Sequence, residues 1–131
     1  MTARFTQTFV AEPQHIDVLG HVNNAVWVQW MEQIATAHWE AVAPPEHVEA
    51  YVWVVARHEI DYKGNIALGE SVTAETFIPE GPSGARFDRR VDFFDRAGRL
   101  VVSARTTWAM IDRATGRLMR VPPEVAAPFT G

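Results

Sequence analysis

With 131 residues, 47% of them hydrophobic, and eight glycines and eight prolines, the chain has the make-up of one compact globular domain with no room for a second. It has no cysteine, which excludes a disulfide framework, a thiolate metal site and a cysteine nucleophile, and fits a reducing, cytoplasmic setting. A formal net charge of -4 argues against a nucleic-acid binder, and no stretch approaches the roughly 20 apolar residues of a membrane span.

Residues 3 to 10 read as a strand, because Phe5, Gln7 and Phe9 alternate with Thr6, Thr8 and Val10 before Pro13 closes the segment. A polar loop follows. From Asn24 to Val42 the period becomes helical: Trp27, Trp30, Met31, Ile34 and His38 form one stripe, and Gln29, Glu32, Gln33, Thr36 and Glu40 the opposite one. This predicts a single helix about 28 Å long, stopped by Pro44-Pro45. Four runs of strand character come next: Tyr51 to Tyr62, Ser71 to Ile78, Ala85 to Phe94 and Leu100 to Ile111. Gly64-Asn65, Gly69 and Gly81-Pro82-Ser83-Gly84 punctuate them, and Asp95-Arg96-Ala97-Gly98 reads as a hairpin turn. Residues Arg117 to Val121 suggest a short edge strand, and Pro122, Pro123 and Pro128 an irregular tail. A strand, one long helix and a meander of antiparallel strands describe an α+β domain whose sheet packs on the helix. Long edge strands make edge-to-edge dimerisation a reasonable expectation.

The chemistry concentrates in HIDVLGHVNNAVWVQWME, residues 15–32, where Asp17, His21, Asn23 and Asn24 crowd the loop entering the tryptophan-rich helix and Gly20 permits a tight turn. A helix start offers unpaired N–H groups and the positive end of the dipole, so a carboxylate and an oxyanion donor can face one carbonyl there. The same residues are also ordinary cap and turn formers. No G-x-S-x-G, Walker, G-x-G-x-x-G or H-E-x-x-H motif occurs, and Asp17 and His21 lack a third metal ligand nearby. His58 shares an alternating face with Ile60 and Tyr62 and reads as a core histidine, while His15, His38 and His47 carry no signal.

The segment DVLGHVNNAVWVQWME resembles the D-x-x-G-H-V-N-N-x-x-(aromatic)-x-x-(aromatic)-x-E signature of hotdog thioesterases of the 4-hydroxybenzoyl-CoA thioesterase type, and EIDYKGNIALGESV resembles that family's strand and turn ending in a glycine-acid pair. The resemblance extends to the order of elements over nearly the whole chain. It implies a hotdog fold, one long helix wrapped by a five- to six-stranded antiparallel sheet, in homodimers or dimers of dimers with active sites at subunit interfaces. It implies acyl-CoA thioester hydrolysis without a cofactor or metal. The carried-over roles are Asp17 as the carboxylate, acting as nucleophile or general base, and the Asn24 N–H as carbonyl-polarising donor. His21 would orient loop or substrate, and Asn23 would cap the helix or hold a water. Trp27 would line the core or the acyl pocket, and Glu32 matches the family's helix glutamate. A thiolate leaves readily, with a pKa of about 8.5, so few residues are needed.

The chain lacks the D-x-N-P-x-H pattern of hotdog hydratases, and Leu19-Gly20 stand where plant acyl-carrier-protein thioesterases carry Asn-Gln. Residues 1–56 hold one basic side chain, Arg4; the other eleven follow, ten of them arginine. Arg86, Arg89 and Arg90 are thereby candidates for the CoA phosphates, or for an acidic acyl carrier protein. On an ideal strand, however, Arg89 points away from Arg86 and Arg90. Two alternatives to an acyl-CoA thioesterase stay open: an acyl-carrier-protein thioesterase and a non-catalytic acyl-binding protein.

Overall fold

The computed structural model describes residues 4–130. Strand β1 (Phe5–Val10) leads through a 3-10 turn (Pro13–His15) and a short loop into helix α1 (Asn24–Val42). Then come α2 (Pro45–Ala50), β2 (Tyr51–Tyr62), β3 (Ser71–Phe77), β4 (Arg86–Phe94), β5 (Leu100–Asp112), β6 (Arg117–Leu118) and α3 (Pro123–Thr130). The strands form one antiparallel sheet in the order β1-β3-β4-β5-β2, with β6 added to the end of β5. β2 does not join the β3-β4-β5 meander at the β3 side. Helix α1 carries the chain from one sheet edge to the other, so β1 and β2 end up on opposite edges.

The helix has the bounds its periodicity predicts. Its buried residues, Val26, Trp27, Trp30, Met31, Ile34, Ala35 and His38, recur every three or four positions and so lie on one face. That face packs on inward side chains of the sheet, among them Val72, Val91, Phe93 and Val102. In β4 the alternation is strict: Phe87, Arg89, Val91 and Phe93 are buried against the helix side, and their neighbours face outward. β2 needs a correction to its phase to do the same. A bulge between Val55 and Arg57 shifts the register, so Trp53 and Val55 before it and His58, Ile60 and Tyr62 after it all oppose the same alternate set of β5 residues.

The outward face carries a polar network. Asp88 accepts hydrogen bonds from Thr107 Oγ1 (2.7 Å) and Arg105 Nε (2.7 Å), and Arg105 also bonds Glu80. Burial alone would raise the Asp88 carboxyl, but the hydrogen bonds from Thr107 and Arg105 outweigh it and hold its pKa below the ordinary range.

Two segments differ from the sequence expectation. The tail is helical: Pro123 occupies the first turn, where its missing N–H costs nothing, and burial of Val125, Ala126 and Phe129 offsets the hydrogen bond that Pro128 removes. Pro44-Pro45 ends α1 as expected, yet Pro45 also opens α2, so the long helix has two short companions. The first strand begins at Phe5; Ala3, included in the expected strand, lies outside the described residues. Among the described residues no helix is long and apolar enough to cross a membrane.

Candidate active site

Ile16 and Val22 form an antiparallel bridge that folds residues 17–21 into a tight loop. Inside it the Asp17 N–H donates to the His21 carbonyl (2.8 Å) and the Gly20 N–H to the Asp17 carbonyl (3.1 Å). Gly20 takes φ +81°, a left-handed conformation that side chains other than glycine's resist. The Asp17 carboxylate is half-buried, and its Oδ1 accepts the N–H groups of Leu19 (2.9 Å) and His21 (3.2 Å). These two bonds fix the carboxylate and leave Oδ2 with no hydrogen-bond partner among the described residues. Asp17 is therefore held in place while one oxygen stays available for chemistry.

The loop is clamped to the rest of the molecule by Asn65. Its Oδ1 accepts from the N–H groups of Val22 (3.2 Å) and Ile66 (2.8 Å), and its Nδ2 donates to the Val22 carbonyl (3.1 Å). The Asn23 N–H donates to the His15 carbonyl (2.9 Å). Asn23 then caps α1, its Oδ1 accepting from the Ala25 N–H (2.9 Å). The Asn24 N–H, first of the helix, has no acceptor among the described residues, as an oxyanion donor requires. On the other side of Asn24, the Tyr62 hydroxyl donates to its carbonyl (3.3 Å). Burial raises the Tyr62 pKa, so its hydroxyl keeps its proton at neutral pH.

The remaining candidates fall elsewhere. The His21 ring is exposed and makes no hydrogen bond among the described residues. Trp27 is 0% exposed, packed edge-on against Trp30 (5.2 Å between ring centres) and Phe93 (5.0 Å). It sits in the core, and its indole N–H has no acceptor among the described residues. Glu32 lies 3.7 Å from His58 Nε2, whose Nδ1 is 2.8 Å from Thr106 Oγ1, so both His58 nitrogens face partners. The three arginines do not converge. Arg86 is exposed, Arg90 bonds Ser103 (2.8 Å) and lies 3.8 Å from Asp92, and Arg89 turns inward to 7% exposure. Among the described residues no group of three His, Asp or Glu side chains is placed to hold a metal.

In the sequence, Asn65 reads only as part of a turn signal, Tyr62 as a member of an alternating face and His38 as part of an apolar stripe. For Asn65, only the pairing of distant backbone segments reveals its role, since it joins residues 43 positions apart.

The stretch from residue 11 to residue 129, motif loop to terminal helix, matches the model of the thioesterase-like superfamily. The chain belongs to that superfamily. Its α+β architecture, a curled antiparallel sheet around a helix, is the hotdog fold. A curated relative, the chloroplast acyl-[acyl-carrier-protein] hydrolase FATB3 of Cuphea viscosissima, is 28% identical over 75 residues, 56% of this chain and 18% of the plant protein. The chain thus spans less than a fifth of that relative's length. Among solved structures, the Staphylococcus aureus protein SAV2348, determined in complex with CoA, superposes with a TM-score of 0.85 at 17% identity, covering 98% of this chain and 82% of that one. An acyl-ACP thioesterase from Bacteroides thetaiotaomicron gives a TM-score of 0.82 at 24% identity over 96% of this chain and 52% of the other. At these identities the two structures establish the shared hotdog thioesterase fold.

Proposed function

We propose that this hotdog protein is an acyl-CoA thioesterase of the 4-hydroxybenzoyl-CoA thioesterase type, with Asp17 as its catalytic carboxylate. The observation that carries the proposal is the Asp17 loop: a carboxylate pinned through one oxygen by two backbone N–H groups, just ahead of a helix whose first amide is free. The thioester carbonyl would take its hydrogen bond from the Asn24 N–H as negative charge develops on oxygen, an interaction worth about 3 kcal/mol of barrier in other oxyanion sites. Asp17 Oδ2 would then attack the carbonyl carbon, forming an anhydride that water cleaves, or remove a proton from an attacking water. Either route breaks the C–S bond and releases CoA thiolate and a free acid. His21, exposed beside the carboxylate, is assigned to substrate orientation. Asn23 positions the donor by capping the helix.

Arg86, exposed and without an ion-pair partner among the described residues, is the member of the arginine group assigned to the CoA phosphates. β2 is twelve residues long and, among the described residues, pairs on one side only. We assign its open edge to a homodimer, which would bring a second subunit toward Tyr62 and the Asp17 loop.

A second reading, hydrolysis of acyl groups from a carrier protein, is favoured by the similarity to the plant hydrolase and the Bacteroides thioesterase. Purified protein incubated with a panel of acyl-CoAs and a thiol-trapping dye tests the first reading, and acylated carrier protein under the same conditions tests the second. Thiol release from acyl-CoA at catalytic protein concentrations is expected. Release from the carrier alone would select the second reading, and binding without release from either would mark an acyl-binding protein instead.

A further inference from the structure

The end of α1 remote from Asp17 borders a cavity of about 230 Å³. Aromatic side chains dominate its walls, Trp39, Trp53, Phe87 and Phe129 among them; Arg89 reaches it from the middle of β4, and the exposed Glu40 and Arg113 line it too. Ala35 and Trp39 lie 11 and 15 residues beyond Asn24, about 16 and 22 Å along the helix axis. The cavity is therefore separate from the candidate active site of the same subunit.

Arg89 has no counter-charge among the described residues. Nη1 donates to His38 Nδ1 (2.8 Å) and to Thr76 Oγ1 (2.9 Å), and no carboxylate lies within ion-pairing distance of it among the described residues. Burial lowers its pKa to about 10, which leaves it charged at neutral pH. Both partners are uncharged: burial, reinforced by the Arg89 charge, pushes His38 down to about 4. Buried cations are otherwise paired with anions, because an unpaired one costs several kcal/mol in lost hydration. Of the five guanidinium N–H groups, Nη1 supplies the two with acceptors, and the other three have none among the described residues. The buried indole N–H groups of Trp53 and Trp108 also lack acceptors among the described residues. The buried Arg89 is short of an anion, since the carboxylate on the cavity wall, exposed Glu40, lies outside ion-pairing distance of it.

We propose that this cavity binds a compact apolar carboxylate, its charged end paired with Arg89 and its hydrocarbon body held among the aromatic walls. The size suits the class, since about 150 Å³ already accommodates a benzene ring. A planar guanidinium also matches a carboxylate through two parallel hydrogen bonds. This binding does not depend on the thioesterase reading and is measured without turnover.

The test is titration of the full chain with benzoate and hexanoate, each against its uncharged amide, by calorimetry and by tryptophan fluorescence. At least one acid is expected to bind with a Kd of about 1 mM or tighter, at least about tenfold more tightly than its amide. Arg89→Met should abolish the preference for the acid. Ala35→Leu, which fills the chamber and keeps the cation, should weaken acid and amide alike by about tenfold. If Arg89→Met does not fold, the wild-type acid and amide pairs with Ala35→Leu decide the matter. Absence of binding by both acids at about 10 mM, equal binding of acid and amide, or tight binding retained in Ala35→Leu would overturn the proposal.

Discussion

Replacing Asn65 with alanine removes three hydrogen bonds at once, two accepted from the Val22 and Ile66 N–H groups and one donated to the Val22 carbonyl. Each such bond contributes about 1 kcal/mol net. The Val22 N–H retains a bond to the Ile66 carbonyl (3.2 Å), so the expected loss is about 2–3 kcal/mol rather than more. Urea denaturation followed by far-ultraviolet circular dichroism measures it. Because Val22 closes the bridge that shapes the Asp17 loop, the same change should lower kcat by about 10- to 100-fold on any thioester the wild type cleaves, with a smaller effect on KM. Asn65→Asp keeps an acceptor for the two N–H groups but not the donor, and should fall between alanine and wild type. An alanine variant with wild-type stability and wild-type turnover would refute the clamp.

Trp27→Ala should destabilise the fold by about 3–5 kcal/mol, because it truncates the largest fully buried side chain of the core and removes two edge-on ring contacts; a loss below about 1 kcal/mol in urea would contradict the packing described. His38 makes stability depend on pH. Its folded pKa, about 4, lies below the unfolded value of 6.5, so the unfolded chain binds more protons between those limits and stability falls as pH drops through that window. The loss reaches about 3 kcal/mol by pH 4, and His38→Gln should flatten the profile. Unchanged unfolding free energy from pH 7 to 4.5 in the wild type would sink this assignment.

Much of the architecture was legible because burial imposes periodicity. The α1 stripe and the strict alternation of β4 each state which face is inward, and both survive in the structure without adjustment. The same alternation separates Arg89 from Arg86 and Arg90. What stayed hidden depends on contacts between distant segments. The bulge in β2 re-phases the strand so that Trp53 and His58 share a face, which a fixed period of two denies. α3 carries two prolines and reads as irregular, yet Phe129 stacks on Trp39 (5.6 Å) and meets His38 edge-on (5.0 Å), and that burial outweighs the local preference. At the site, Asp17 and Asn24 stand out by motif, whereas Asn65 acts through backbone groups that no side-chain pattern records.

The most direct test is the turnover of Asp17→Asn on the acyl-CoA that the wild type cleaves best. Asparagine retains an Oδ1 that can accept from Leu19 and His21, so the loop should keep its shape and the protein its melting temperature, while kcat falls by at least about 100-fold for want of a carboxylate. A folded Asp17→Asn protein that cleaves the thioester at the wild-type rate would contradict the account.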